Sequence, residues 1–110
     1  MATGYVSDAG DIVWLNFSPQ AGHELAGHRP AVVLSAEVYN RAAGLMFCCP
    51  TTTRVKNNPF EVLLAGDPPS VALADHARSV DWRVRGALFK ARARPTELAE
   101  IRAKLRALIG

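Results

Sequence analysis

The sequence predicts a mainly β fold, a small, partly closed barrel with a short helix and a C-terminal helix packed on it. Short apolar runs separated by turn residues fill the first three quarters of the chain. The hydrophobic period then changes to that of a helix near the C-terminus. Many short strands followed by one terminal helix are typical of such small barrels.

The predicted strands are short apolar runs bounded by turns. The first, at residues 12–17, follows the Gly10-Asp11 turn, and the second, at 31–34, begins just after Pro30, where proline is tolerated. Four further runs lie at residues 45–49, 60–64, 71–74 and 78–82. In the fourth strand, alternation predicts that Glu61 faces solvent.

Two helical segments are expected. Residues 36–42 form a short helix or turn before the break at Gly44. Residues 95–109 form the C-terminal helix, because Pro95 suits the first helical position and acidic residues precede basic ones along it. Its apolar side chains fall on one face: Leu98, Ile101, Leu105, Leu108 and Ile109.

Size and composition predict a single domain, residues 1–110. The chain is 49% hydrophobic and 21% charged, which are ordinary globular values. A chain of this length buries a core without staples, so disorder and a disulfide scaffold are excluded. The net charge of +3 allows an anionic partner, either nucleic acid or an acidic protein, without choosing between them.

The chain is expected to be cytoplasmic, with no membrane association. No segment approaches the ~18 apolar residues of a membrane span. Residues 1–11 lack the basic start and apolar core of a signal peptide. Neighbouring strand residues point to opposite faces, so Cys48 and Cys49 are expected to be reduced thiols in or near the core.

Neither a metal nor a cofactor is expected. The spacing of His23 and His28, and the adjacent cysteines, fit none of the usual zinc sites. Phosphate-binding loops, dinucleotide fingerprints and nucleophile elbows are also missing from the sequence.

Four features can carry chemistry. Arg29 ends a long loop, so its fork can bind a phosphate or pair with a carboxylate. Thr51-Thr52-Thr53 form either a turn or a set of donors for phosphoryl oxygens. Asp75-His76 are an acid–base pair or, more simply, a turn cap. The basic run is a solvated face or an RNA-facing strip, and contains Arg83, Arg85, Lys90, Arg92 and Arg94.

These residues lie within blocks that resemble the MazF/PemK family of toxin endoribonucleases, closest to its chromosomal MazF branch. The most specific block is E-x-x-G-H-R-P-A-V-V-L-S at residues 24–35. It follows G-D-I-V-W at 10–14 and precedes P-T-T-T at 50–53, P-F-E-V at 59–62 and V-A-L-A-D at 71–75. The blocks S-V-D-W-R at 79–83 and L-I-G at 108–110 complete a match across essentially the whole chain.

The resemblance implies an SH3-like barrel of the CcdB/PemK type that acts as a homodimer. It implies metal-independent cleavage of single-stranded RNA at short sequence motifs, leaving 2′,3′-cyclic phosphate and 5′-hydroxyl ends. A cognate acidic antitoxin would block the RNA groove. By resemblance Arg29 and Thr52 are the catalytic pair, and Glu24 is a loop acid that supports activity. The expected RNA contacts are His23, Gly27, His28, Lys56, Asp75 and His76.

Two departures from the family pattern bear on function. The plasmid branch of the family has an arginine where this chain has Leu73, so that version of the site is excluded. The loop around Glu24 and residues 54–58 also diverge, which leaves the cleavage motif open. The alternatives are a non-enzymatic poison of DNA gyrase with the same fold and a degenerate RNA- or antitoxin-binding module. The Arg29, Thr52 and Glu24 set argues against both.

Overall fold

The computed structural model describes residues 4–17 and 27–110. The elements within these ranges follow in chain order. They are β1 Asp11–Asn16, β2 His28–Val33, α1 Glu37–Ala43, β3 Leu45–Thr52, β4 Glu61–Leu64, β5 Ser70–Leu73, a 3₁₀ turn Ala74–His76, β6 Arg78–Asp81, β7 Leu88–Arg92 and α2 Pro95–Ile109. None of the helices in the described ranges is long and apolar enough to cross a membrane.

The strands form one curled antiparallel sheet in the order β4-β5-β3-β2-β1-β7. Strand β3 holds the two halves together because it changes partner along its length. Its first half pairs with β6, its middle pairs with β2, and its last two residues pair with β5. The mainly β fold with two helices predicted from the sequence is therefore confirmed, in the form of a half-barrel.

The sheet buries a separate apolar cluster on each face. The cluster beneath α2 contains Ile101, Val32 and Cys49, and the other contains Phe17, Leu15 and Cys48. The two thiols thus point to opposite faces, are free and are fully buried, as the sequence predicted. Burial raises the pKa of the Cys48 thiol to about 12 and also raises that of Cys49.

Helix α2 has the predicted bounds, but only part of its apolar stripe packs. Ile101 is fully buried, and Leu98 and Leu105 pack against the same cluster. Leu108 and Ile109 were expected on this buried face but are exposed, because the stripe extends past the sheet that it covers.

Three other expectations need correction. Arg29 and Pro30 belong to β2 rather than to the loop before it, since Leu15 and Trp14 pair with them. Glu61 is buried, not outward-facing, because its carboxylate accepts backbone N–H groups from the preceding loop. Strand β7 was missed because its exposed basic and apolar residues do not alternate as a half-buried strand does.

Candidate active site

A groove of about 780 Å³ lies across the ends of β2 and β3, the β4–β5 turn and β7. Its lining is rich in cations: Arg29, Arg54, Lys90, Arg92 and Arg94. Asp67 and Glu97 are the acidic groups in the same lining. The groove therefore carries a net positive charge among its described residues, which suits an anionic ligand.

Arg29 is positioned by two strands. It pairs with Leu15 in β1, and the neighbouring Ala31 pairs with Pro50 in β3. Its Nη1 donates to the Thr51 carbonyl oxygen at 3.3 Å. Thr51 itself is buried, and its hydroxyl donates to the Pro30 carbonyl oxygen at 3.0 Å. These contacts hold the guanidinium at the groove, and a guanidinium fork is a group suited to binding an anion.

Thr52 ends β3 and is half-buried beside Arg29 in the lining. Its Oγ1 accepts the backbone N–H of Arg54 at 3.1 Å, which closes a tight turn. Because a hydroxyl both donates and accepts, this bond leaves the hydroxyl proton for a ligand oxygen. Thr51 and Thr52 thus differ in use, since the Thr51 hydroxyl donates to a strand carbonyl and the Thr52 hydroxyl accepts a backbone N–H.

The loop at residues 53–60 is held from below by Glu61. The Glu61 carboxylate accepts the backbone N–H groups of Lys56 and Asn57, at 3.1 Å and 2.9 Å. Asn57 adopts a left-handed φ of 60°, a conformation that asparagine tolerates. On the other side, Lys104 Nζ in α2 donates to the Glu61 carbonyl oxygen at 2.7 Å. One buried residue therefore ties the loop to the sheet and to α2.

An aromatic stack forms another part of the groove lining. The rings of Trp14 and His28 are stacked, with centroids 5.5 Å apart and planes 9° from parallel. Lys90 Nζ lies 5.7 Å from the centre of the Trp14 ring. Such a platform beside cations is typical of surfaces on which splayed nucleotide bases stack.

Arg92 is oriented by a buried acid. It pairs with Asp11, which is almost fully buried and also accepts the Tyr5 hydroxyl proton at 2.7 Å. Burial, with the hydrogen bond to Asp11 second, raises the pKa of Tyr5 to about 12. This arrangement fixes the direction in which the exposed part of Arg92 projects.

Most of the chain matches one family of known proteins. The model of the PemK-like, MazF-like toxins of type II toxin-antitoxin systems matches residues 8–109. This chain belongs to that family. It is 50% identical to the Endoribonuclease toxin MazF of Escherichia coli K12 over 111 residues, which covers 100% of both chains.

Solved structures agree with this family assignment. The crystal structure of MazF from Deinococcus radiodurans superposes with a TM-score of 0.92 at 56% identity, covering 96% of this chain and 98% of that one. A crystal structure of MazE-MazF from the same organism gives a TM-score of 0.86 at 56% identity, covering 96% and 97%. The MazF fold is therefore established for this chain.

The structure of this MazF-like chain brings some predicted site residues together and separates others. Arg29, Thr52 and His28 line one groove. Lys56 and Gly27 do not line it; the Gly27 carbonyl instead accepts the N–H of Phe17. Asp75 and His76 form the 3₁₀ turn beside α2, away from the groove lining. His23 and Glu24 lie outside the described residues.

Sequence reasoning missed Trp14 and Glu61 as parts of the site. Trp14 was visible in an apolar strand and in the G-D-I-V-W block, but neither gave it a role, and Glu61 looked like an outward-facing charge. The alternation of Lys90, Arg92 and Arg94 was the available signal that these cations line the groove together. Among the described residues, no cluster of three His, Cys, Asp or Glu side chains is placed to hold a metal.

Proposed function

We propose that this chain is a sequence-specific, metal-independent endoribonuclease toxin that cleaves single-stranded RNA, mRNA included, and is inhibited by a cognate antitoxin. The observation that carries the proposal is the presence of Arg29 and Thr52 in the lining of one cationic groove. Full-length similarity to an endoribonuclease toxin supports it.

The proposed reaction is a transesterification at the RNA phosphate. The ribose 2′-oxygen attacks the adjacent phosphorus, loses its proton and forms a new O–P bond. The P–O5′ bond breaks, and the 5′-oxygen takes up a proton. The products carry a 2′,3′-cyclic phosphate and a 5′-hydroxyl.

Arg29 and Thr52 have distinct proposed roles in this step. Arg29 serves in phosphate stabilisation and in proton transfer. Because arginine pKa values exceed about 12, its main contribution is to stabilise charge on the non-bridging oxygens. Thr52 donates its hydroxyl proton to one of these oxygens and so fixes the phosphate. Glu24, by family resemblance, orients Arg29 or accepts a proton.

Base recognition is proposed for the loops beside this pair. His28, stacked on Trp14, is supported most directly, because bases stack on such rings. Lys56 lies on the loop held by Glu61, and His23 and Gly27 flank the Glu24 loop. Asp75 and His76 contact RNA in this proposal only where its path leaves the groove.

The proposed partners are a second copy of the chain and an acidic antitoxin. Exposed apolar side chains on two segments, Val38, Tyr39 and Leu45 on one and Val84, Leu88 and Phe89 on the other, support a homodimer. The cationic groove supports an acidic antitoxin, and a similar chain has been crystallised as MazE-MazF. Light scattering of the purified chain tests the dimer directly.

The deciding experiment incubates the purified chain with a long RNA in EDTA and maps the fragment ends. We expect discrete cuts that share a short motif and carry 5′-hydroxyl ends. Cleavage that stops in EDTA would contradict the metal-independent reaction. Intact RNA, combined with inhibition of DNA supercoiling by gyrase, would replace the proposal with the gyrase-poison alternative.

A further inference from the structure

Strand β7 and the residue that caps α2 supply cations to the same groove as Arg29 and Thr52. Lys90 and Arg92 lie on β7, and Arg94 is the N-cap residue of α2. All three line the groove, and all three are exposed. A row of cations is suited to contact successive phosphates of an extended nucleic-acid strand. Because this row borders the groove, it is more than a solvated charged face.

A local irregularity of the sheet directs Lys90 into the groove. Ile12 pairs with Ala91 and Val13 pairs with Phe89, so the register shifts and Lys90 has no partner residue in β1. Bulges of this kind re-aim side chains and are enriched beside functional sites. Here the Lys90 ammonium comes to lie over Trp14, at 5.7 Å from the ring centre.

Two of the three cations in this row form no ion pair with the described residues. Within residues 4–17 and 27–110, neither Lys90 nor Arg94 forms an ion pair with a carboxylate. The nearby Glu97 carboxylate is occupied by backbone N–H groups, those of Ala65 at 2.8 Å and Arg94 at 2.7 Å. Arg92 is held in place by Asp11. The row therefore combines two cations without an ion pair in the described part of the chain, Lys90 and Arg94, with one cation, Arg92, that its ion pair orients.

We propose that Lys90, Arg92 and Arg94 form a phosphate-binding wall that holds RNA nucleotides flanking the cleaved bond. The proposal rests on the proposed endoribonuclease function and assigns it an extended substrate site. The wall contributes affinity without reading sequence, because phosphate contacts position the strand and base contacts specify it. Long RNAs therefore benefit from it more than fragments that contain the motif alone.

The test compares two double variants that lose the same charge. Lys90→Gln/Arg94→Gln removes two wall cations and leaves the Arg92–Asp11 pair in place. Arg102→Gln/Arg106→Gln removes two exposed α2 cations that are not in the groove lining. Melting curves first establish that the variants have the same melting temperature as the wild type. Each protein is then assayed over a range of salt concentrations on a long RNA and on a short RNA that contains only the mapped cleavage motif.

We expect the wall variant to raise KM for the long RNA about tenfold, and to change kcat/KM for the short RNA much less. Two lost phosphate contacts also reduce the slope of log KM against log salt by about 1.4. The control variant stays within twofold of the wild type in both measurements.

Three outcomes would overturn the proposal. The first is a KM shift no larger than that of the control. The second is an unchanged KM for RNA with lost inhibition by poly-glutamate, which would assign the wall to an acidic protein instead. The third is absence of cleavage by the wild-type chain, which removes the proposed function itself. If the wild type cleaves RNA and the wall variant has an unchanged KM, the phosphate-binding wall is contradicted and the proposed function is not.

Discussion

The two sides of the groove are held in place in different ways. On one side, Arg29 and Thr52 lie on β2 and β3, whose register is set by buried residue pairs. On the other side, Thr53 and Arg54 line the groove at the start of the 53–60 loop, whose position depends on hydrogen bonds to the Glu61 carboxylate. Strands fix side chains more closely than loops do, so the first side is suited to chemistry and the second to variable recognition.

This difference predicts two separable kinds of defect. Changes on the strand side should abolish cleavage and leave the motif preference of any residual activity unaltered. Changes at the support of the loop should alter the preference among sites and spare the chemical step. The variants below test whether loss of cleavage and altered motif preference can be separated in this way.

Arg29→Lys keeps the charge but removes the fork. A lysine presents a point charge that cannot bridge two phosphate oxygens, so we expect kcat to fall at least 100-fold. KM should change little, since the overall charge of the groove is retained. Single-turnover cleavage of a defined RNA measures the effect, and a loss below threefold would contradict the bidentate role.

Thr52→Val and Thr51→Val form a matched pair. Thr52 lines the groove and is proposed to donate its hydroxyl proton to a phosphate oxygen, so its loss should lower kcat about tenfold. Stability should change little, because the bond of this hydroxyl to the Arg54 N–H is exposed. The buried Thr51 hydroxyl bonds to the Pro30 carbonyl, so its loss should cost about 1 kcal/mol of unfolding free energy. Urea denaturation and kinetics of both variants check the pair; the reversed pattern would exchange the two roles.

Glu61→Gln weakens the support of the loop. An amide replaces one carboxylate oxygen with an NH2 group that would face the Lys56 N–H, and it removes the charge, so unfolding free energy should fall by about 1–3 kcal/mol. Sequencing of fragment ends should show cleavage at a wider set of motifs. The exposed Glu37→Gln, which breaks only a surface pair with Arg41, is the control and should change neither.

The buried thiols predict a stability effect confined to high pH. Burial raises the pKa of Cys48 from 9.0 to about 12, so only the unfolded chain ionises between these values. Stability from this group is complete below pH 9 and is lost as pH rises towards 12, by up to about 1.4 kcal/mol per pH unit. Urea titrations of Cys48→Ala should show a flatter decline than the wild type; equal slopes would contradict the burial effect.

The sequence predicted those parts of the molecule in which local pattern and tertiary packing agree. Helix α2 has its predicted bounds because capping residues, charge order and apolar period all coincide there. Cys48 and Cys49 occupy opposite faces because alternation in a buried strand leaves no other arrangement. Both results follow from short-range rules.

The misses arise where long-range contacts decide. The burial of Glu61 depends on a loop folding back onto it, and nothing in the β4 pattern shows that loop. Strand β7 is held by pairing with β1 across most of the sequence, despite an exposed and charged surface. The grouping of Arg29 with Thr52 was inferred from family resemblance. The cations Lys90, Arg92 and Arg94 could be assigned to the same groove only from the sheet topology.

In the proposed function, the strand-held pair Arg29 and Thr52 performs the chemistry. Its most direct test is single-turnover cleavage of one mapped RNA in EDTA by the wild type and by Arg29→Ala, with RNA affinity and melting temperature measured on both. We predict that the variant folds and binds RNA but loses cleavage by at least 1,000-fold, on the order of the largest oxyanion-donor effects. Cleavage by Arg29→Ala at the wild-type rate would contradict the account.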